Sequence, residues 1–490
     1  MGRPNILFIF ADQLRYSALA CNGNPIVQTP NIDRLAREGI AFDQALSSCP
    51  ICSPYRGQVL AGRYAHVNGV IDNEYRLFDG QTTMAHVLKG EGYQTTFVGK
   101  WHLGYPPYPE QTRYGFDDLY AYNCEHRYYD ISYWHNEEGP FRMVDFAPRV
   151  ETQLALDYIE GHIQKNPDRP FCVFLGWGPP HWSTAGGDRD YGQYPQEYNI
   201  YDPEQVDVPE NVPRQFRGFA RKEIADYYGM TTALDACMGR ILAALDEWDV
   251  AKNTIVCFTS DHGDHLSAHG YGKPSDDWMH HTLRASKFTP HEEAVHIPFI
   301  LRYPAQVRSN RRTETLFSSV DVLPTLLGLC GIPVPDDVQG MDLSPAVLGA
   351  SGEGPDSAYL QILGPGWPVR TKSVGLWRGV RTQRYTYARW KDRDGLCVLY
   401  DREVDPLEMH NWVDQPEYAG TAREMEERLQ RWMEETGDPF DTGKRLPVTE
   451  MLDLGQVFID AKWYQLAPKE YAASIEKYDP KAKTEEQKQR

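Results

Sequence analysis

The chain runs to 490 residues, 41% hydrophobic and 24% charged, with 69 Asp and Glu against 50 Lys and Arg for a net charge of −19. That is enough apolar material for one large domain with an appendage, or for two to three domains, which excludes wholesale disorder, and the negative field argues against nucleic acid as a partner. No apolar run reaches the roughly 20 residues of a membrane helix, so no membrane insertion is expected; the opening Met1-Gly-Arg-Pro-Asn5 lacks a leader's pattern, which reads as cytoplasmic, or as periplasmic or secreted if a leader has been removed.

In chain order, Asn5–Ala11 is a continuous apolar strand ending in Asp12. Thr29-Pro30 offers an N-cap and an N1 proline to a helix with Ile32, Leu35 and Ala36 on one face and Gly39 as its C′ residue. A helix over Thr83–Leu88 closes at Gly90 or Gly92 and leads to strand Thr95–Val98, and Phe171–Leu175 is a further apolar run. Ile224–Trp248 carries Leu234, Ile241, Leu242 and Leu245 at helical spacing before strand Thr254–Thr259, followed by strand Ile297–Leu301 and a helix from Asp321 to Leu329 that stops at Gly331. Strands alternating with helices predict an α/β fold, a large mostly parallel sheet sandwiched by helices. After about residue 365 the pattern changes. Val374–Val380, Tyr385–Trp390 and Val398–Tyr400 read as short strands, with a hairpin turn over Lys391–Gly395. Thr421-Ala-Arg-Glu424 reads as a capping box ahead of a helix bearing Met425, Leu429 and Trp432. The expected division is a large domain over 1–365, a C-terminal subdomain of antiparallel sheet plus helix over 366–476, and a polar tail over 477–490.

Ligands of open α/β sheets sit at the carboxyl ends of the strands, so the polar residues that follow apolar runs take priority: Asp12-Gln13, Lys100-Trp-His102, Pro179-Pro-His181 and Asp261-His-Gly263. Asp261 to His265 with His269 allows a zinc cluster. Asp12, Asp261 and the Gln13 carbonyl with one imidazole allow a hard, oxygen-rich site of the kind Ca²⁺ prefers, and polar strand ends without any metal are the plain alternative. Cys49-Pro-Ile-Cys52 has neither a second pair for a zinc site nor a preceding strand for a thioredoxin-like motif. A cysteine in an apolar loop is usually a small buried hydrophobe. Around Cys52-Ser-Pro-Tyr-Arg56, however, Pro54 restrains the turn, Arg56 can sit over Cys52, and a helix beginning at Gly57 would turn its amides towards an anion.

Together with Pro4-Asn-Ile-Leu-Phe-Ile-Phe-Ala-Asp12, Thr29-Pro-Asn-Ile-Asp-Arg-Leu-Ala-Arg-Glu-Gly39, Gly99-Lys-Trp-His-Leu-Gly104, Ser260-Asp-His-Gly263 and Lys287-Phe-Thr-Pro-His-Glu-Glu293, the Cys52–Arg56 block resembles, in kind and in order, the type I sulfatase family of the alkaline-phosphatase-like superfamily. Trp377-Arg-Gly-Val-Arg381 and Leu399-Tyr-Asp-Arg-Glu-Val-Asp-Pro406 are similar to that family's closing subdomain. The resemblance implies that residues 1–365 are the catalytic domain and that Cys52 is oxidised to formylglycine by a formylglycine-generating or anaerobic sulfatase-maturating enzyme. One hydroxyl of the hydrated aldehyde would attack sulfur and expel an alcohol. The second would let the sulfated hemiacetal collapse and release sulfate, an exit that serine lacks.

The resemblance further implies that Asp12, Gln13, Asp261 and His262 hold a divalent metal, Ca²⁺ being the expected ion, although the family often has Asp at the Gln13 position and Asn at His262. Arg56 and Lys100 would stabilise the diol and sulfate charge, His102 would act as base, and Lys287 would contact a sulfate oxygen. His181, in a segment similar to the family's Ser-Pro-His loop but with Pro179 in place of the serine, would protonate the leaving alcohol. The implied substrate is a sulfated small molecule or saccharide. Cys124-Glu-His-Arg-Tyr-Tyr129, Trp182, Asp188-Arg-Asp190 and His280-His-Thr-Leu-Arg284 fall between motifs, where Tyr and Trp can stack on sugars and Arg127 or Arg284 can pair with a uronate or a second sulfate. Two alternatives stand beside the sulfatase reading: a phosphonate monoester or phosphodiester hydrolase of the same superfamily, and a sulfated-glycan-binding protein with Cys52 unconverted.

Overall fold

The computed structural model describes residues 2–73, 75–183, 192–270, 286–350, 354–363, 375–391 and 395–442. Asp188-Arg-Asp190, His280 to Arg284, the start of the strand expected at Val374, the centre of the 391–395 turn and the 477–490 tail lie outside the described residues. Ten strands build the main sheet: β1 (Asn5–Asp12), β2 (Ile40–Leu46), β3 (Gln94–Lys100), β4 (Asp118–Tyr122), β5 (Ile131–His135), β6 (Glu138–Met143), β7 (Phe171–Pro180), β8 (Thr254–Ser260), β9 (Phe299–Arg302) and β10 (Arg311–Ser318). Their order is β10-β2-β9-β8-β1-β7-β3-β4-β5-β6. The run β8-β1-β7-β3-β4 is parallel, while β9 is antiparallel to β2 and β8, and β5 and β6 extend the other edge antiparallel.

Helices cover both faces, and β1 shows why its residues are apolar throughout. Leu7, Ile9 and Ala11 pack on one face against α4 (Ala147–Lys165) and α5 (Arg217–Glu247). Ile6, Phe8 and Phe10 pack on the other against α2 (Cys52–Ala61), α3 (Met84–Gly90) and α6 (Val322–Leu329). Alternate side chains of a strand point to opposite faces, so a sheet buried on both sides needs an unbroken apolar run.

Three expectations about helix ends are corrected. The first helix, α1 (Pro30–Arg37), receives no side-chain cap from Thr29, whose Oγ1 instead accepts from Ala20 N at 3.0 Å. Gly39 is not a left-handed cap: a Cβ there would lie 2.1 Å from the Leu301 carbonyl oxygen, so the glycine admits β9 against the helix exit. The Thr421–Glu424 capping box does not exist, because α7 (Ala419–Thr436) begins two residues earlier, after a 3₁₀ turn at Pro416–Tyr418.

The second sheet is antiparallel, in the order β11 (Ala358–Ile362), β12 (Trp377–Arg381), β13 (Tyr385–Trp390), β14 (Cys397–Asp401). One face, with Tyr359, Val380, Tyr387 and Leu399, packs on Met425, Leu429 and Met433 of α7. The other, with Leu360, Ile362, Trp377 and Val398, packs on Leu46, Cys49, Ile51 and Val295 of the large sheet's loops. Gln361 N donates to Ser48 O at 2.8 Å and Trp377 Nε1 donates to Phe288 O at 2.8 Å, so this sheet props the two loops that carry Cys52 and Lys287. Among the described residues no helix is long and apolar enough to cross a membrane.

Candidate active site

Parallel register assembles the site. β1 pairs Ala11 with Ser260 of β8 and Asp12 with Pro180 of β7, and β7 pairs Gly176 with Gly99 of β3. The ends of four strands therefore bring Asp12, Lys100, His181 and Asp261 to one edge. α2 enters from β2 and begins at Cys52 itself, not at Gly57 as expected, so the thiol sits on the first turn, at the positive end of the helix dipole. Arg56 follows one turn later on the same face.

The Cys52 Sγ lies 3.7 Å from Asp12 Oδ1, 3.3 Å from His262 Nε2 and 3.1 Å from Lys287 Nζ. Lys100 Nζ donates to Asp12 Oδ2 at 2.6 Å, and Arg56 Nη2 reaches Asp12 Oδ2 at 3.1 Å and Asp261 Oδ2 at 3.3 Å. Lys287 Nζ also donates to Gln13 Oε1 at 3.0 Å and to His262 Nε2 at 2.9 Å. Eight of the expected residues thus touch one another. His102 and His181 stand at the margin: His102 is buried with Nδ1 without a hydrogen-bond partner, while His181 Nδ1 bonds Trp182 O at 2.9 Å. Gln13, His102 and Phe288 all have positive φ, at 72°, 55° and 77°, so three segments of the site hold strained backbone that the surrounding bonds must offset. At Gly263 a Cβ would lie 2.0 Å from Glu293 O, so only glycine lets the strand end at Asp261-His262 pack against the segment after Lys287.

The charges are arranged for an anion and a cation side by side. Burial works to raise the Asp12 carboxyl, but Lys100, then His181, Lys287 and Arg56, hold it well below its ordinary value. Asp261 is pushed up to about 6 by burial and by the charge of Asp12. A carboxylate pair of which only one member ionises freely is a donor set short of positive charge. His262 is lowered to about 4, chiefly by burial, and its Nδ1 donates to Gly263 O at 2.8 Å, which leaves the Nε2 lone pair facing the two carboxylates. Among the described residues Asp12, Cys52, Asp261 and His262 form the one group able to hold a metal ion, with ligand atoms within 4.8 Å of one another. These residues fit a divalent cation. Burial opposes the Lys100 ammonium, yet Asp12 raises it above its ordinary value; burial, Lys100 and Arg56 together keep His102 neutral.

The zinc reading of Asp261 to His269 does not hold. His265 is spent on Ala268 O and Thr289 Oγ1, and His269 faces Glu293 at 3.3 Å. Trp182, expected as a sugar platform, is buried against His126 and His181. Sequence reasoning missed Asp264, which accepts from Gln13 Nε2, and Tyr227, whose hydroxyl donates to Gln13 O. Asp264 was visible as a further acid beside the motif; nothing in the helical pattern of α5 marked Tyr227.

The sulfatase family profile matches residues 4–332, and the C-terminal profile of N-sulphoglucosamine sulphohydrolase matches 281–435. The ulvan-active sulfatase of Formosa agariphila is 32% identical over 450 residues, covering 89% of this chain and 82% of that protein. The N-acetylglucosamine-6-O-sulfatase of Bacteroides thetaiotaomicron is 27% identical over 514 residues, covering 89% and 87%. The crystal structure of YidJ from Bacteroides fragilis superposes with a TM-score of 0.78 at 31% identity, covering 89% of this chain and 97% of that one. The fold, the order of the motifs and these matches agree: the chain belongs to the sulfatase family and is a hydrolase of sulfate esters.

Proposed function

We propose that this sulfatase removes sulfate from a sulfated carbohydrate, with the converted side chain of Cys52 as nucleophile and with Asp12, Asp261, His262 and the Gln13 carbonyl as the ligands of a divalent cation. The observation that carries the reading is the place of Cys52, on the first turn of α2 and within 3.3 Å of both His262 Nε2 and Lys287 Nζ. The cation when bound supplies charge that polarises the sulfate oxygens, and formylglycine supplies a hydrated aldehyde as attacking group. The chain's own residues do the rest. Arg56, Lys100 and Lys287 present three positive charges to the sulfate oxygens from a buried floor, where such charges act strongly. His102, buried and neutral, is placed to take a proton at Nδ1. His181 presents Nε2 to the departing oxygen: the sulfur–oxygen bond breaks with its electron pair going to oxygen, which takes the Nε2 proton of the imidazolium, the form that burial and Lys287 oppose and Asp12 favours, and leaves a neutral ring with Nδ1–H on Trp182 O.

The carbohydrate is supported by the relatives, one of them an N-acetylglucosamine-6-O-sulfatase. The phosphonate monoester or phosphodiester reading draws on one observation, an imidazole where the family often has an oxygen ligand. Mass spectrometry of the peptide around Cys52 is expected to find an aldehyde in place of the thiol. One preparation should then release sulfate from defined sulfated saccharides faster than it cleaves phosphodiesters or phosphonate monoesters. An intact thiol in active protein, or preference for the phosphorus esters, overturns the proposal.

A further inference from the structure

Beside the Cys52 cluster two loops, after β4 and after β7, clamp each other. The Tyr128 hydroxyl donates to Gly178 O at 3.2 Å and to His181 O, and Ser183 Oγ donates to His126 O at 2.7 Å. Between these bonds the His126 ring lies flat on that of His181, centroids 4.4 Å apart and planes 14° apart, with the Trp182 ring 4.8 Å from His126. A carbonyl only accepts, so the bond from His181 to Trp182 O keeps a proton on Nδ1 throughout; as donor the ring is the imidazolium, protonated on both nitrogens, and Nε2 is the nitrogen that gives up its proton. One bond at Nδ1 still lets the ring tilt about it. The stacked face removes that freedom.

We propose that His126 is a positioning residue: its ring, laid on His181, fixes the plane in which His181 Nε2 meets the departing oxygen. The inference rests on the reading of His181 as the proton donor. Lys287, Lys100 and Asp12 also face His181, and Cys124, with its Sγ 3.5 Å from His126 Nε2, and the Glu125–Arg127 pair flank His126. Because a misplaced donor matters only where the leaving oxygen needs a proton, the contribution of His126 grows with the basicity of the leaving group.

A double-mutant cycle on aryl sulfates of graded phenol acidity, from 4-nitrophenyl to phenyl to 4-methoxyphenyl sulfate, tests this. His126→Ala, at a half-buried loop position, is expected to lower kcat about 10–100-fold for the most basic phenol with KM unchanged, and far less for nitrophenol. His126→Phe, which keeps a flat ring, restores most of the loss. In a His181→Ala background His126→Ala costs nothing more. The same loss in both backgrounds, equal losses for every phenol, or no loss at all would overturn the assignment. The underlying reading fails on a separate observable: if the loss in His181→Ala alone is independent of the leaving group, His181 is not the donor, and the role given to His126 falls with it.

Discussion

The two sides of the Cys52 site are built on different principles. The floor stands on the sheet: Asp12, Lys100 and Asp261 occupy or follow the last residues of three parallel strands, each fully buried, with Lys100 paired to Asp12 at 2.6 Å and Arg56 bridging Asp12 and Asp261 at 3.1 and 3.3 Å. The wall stands on loops: His181, His126 and the rim pair of Glu125 and Arg127, whose side chains are 34% and 41% exposed. Exposed ion pairs contribute little, whereas a buried charge network resists any change of geometry. The floor therefore suits the group that every sulfate ester shares, and the wall suits the alcohol that differs from one ester to the next.

The sharpest way to break this comparison is at Cys52, the proposed nucleophile. Cys52→Ala removes one buried sulfur from the first turn of α2, which costs roughly 1–2 kcal/mol of packing and leaves the sheet intact. Turnover is expected to fall by about 10⁴-fold or more for every substrate, since residues that act as a unit fail together. A folded Cys52→Ala protein with near wild-type sulfate release would remove the floor's chemistry as argued here.

The contrast between floor and wall also explains what could be read from sequence. Asp12, Lys100 and Asp261 were legible because an apolar run that stops at a charge marks a strand end, and Cys52 with Arg56 because their block stands in order among the others that resemble the sulfatase family. The elements that escaped have mixed patterns: β6 is exposed along Glu138–Phe141, and α4 buries Glu151 and His162 among its apolar residues. The helix α2 starts five residues before Gly57 because Pro54, read as restraining a turn, is tolerated in the first turn of a helix, where its missing N–H has no partner to lose. The stacking of His126 on His181 had no sequence signal, since two loops distant in the chain meet only once β4 and β7 flank β3.

Next in size is the cation. Asp12→Asn keeps the shape but deletes the charge that Lys100 and Arg56 share with the proposed metal, so ion content measured by elemental analysis is expected to fall below stoichiometric and activity by about 10³-fold, equally for sugar and aryl sulfates. Full occupancy in this variant would reject Asp12 as a ligand. The wall predicts the opposite pattern. His181→Ala should cost about 10²-fold or more on a sugar sulfate, whose alkoxide leaves poorly, and little on 4-nitrophenyl sulfate, measured as kcat/KM with chemistry rate-limiting. Equal losses on the two substrates would merge the wall with the floor.

The smallest expected effect lies one layer below the floor, at Asp264. Its Oδ2 accepts from Gln13 Nε2 and its Oδ1 accepts from Leu266 N at 2.9 Å, while Gln13 N donates to Asp261 Oδ1 at 2.9 Å. Asp264 therefore decides which end of the Gln13 amide faces the cluster. In Asp264→Asn the oxygen can still serve Leu266, but the new amide nitrogen opposes Gln13 Nε2, donor against donor. The Gln13 side chain relieves this by turning over, which carries Oε1 away from Lys287 and the ligand group and presents N–H in its place. Metal affinity should fall about 10-fold, since the outer partners of metal ligands commonly carry that much. Titration with metal should recover near wild-type kcat, and the dependence on leaving group should stay as in the parent, because His181 and His126 are untouched. Unchanged affinity in Asp264→Asn would mean that the Gln13 carbonyl holds Lys287 alone and is no ligand, leaving the cation to Asp12, Asp261 and His262.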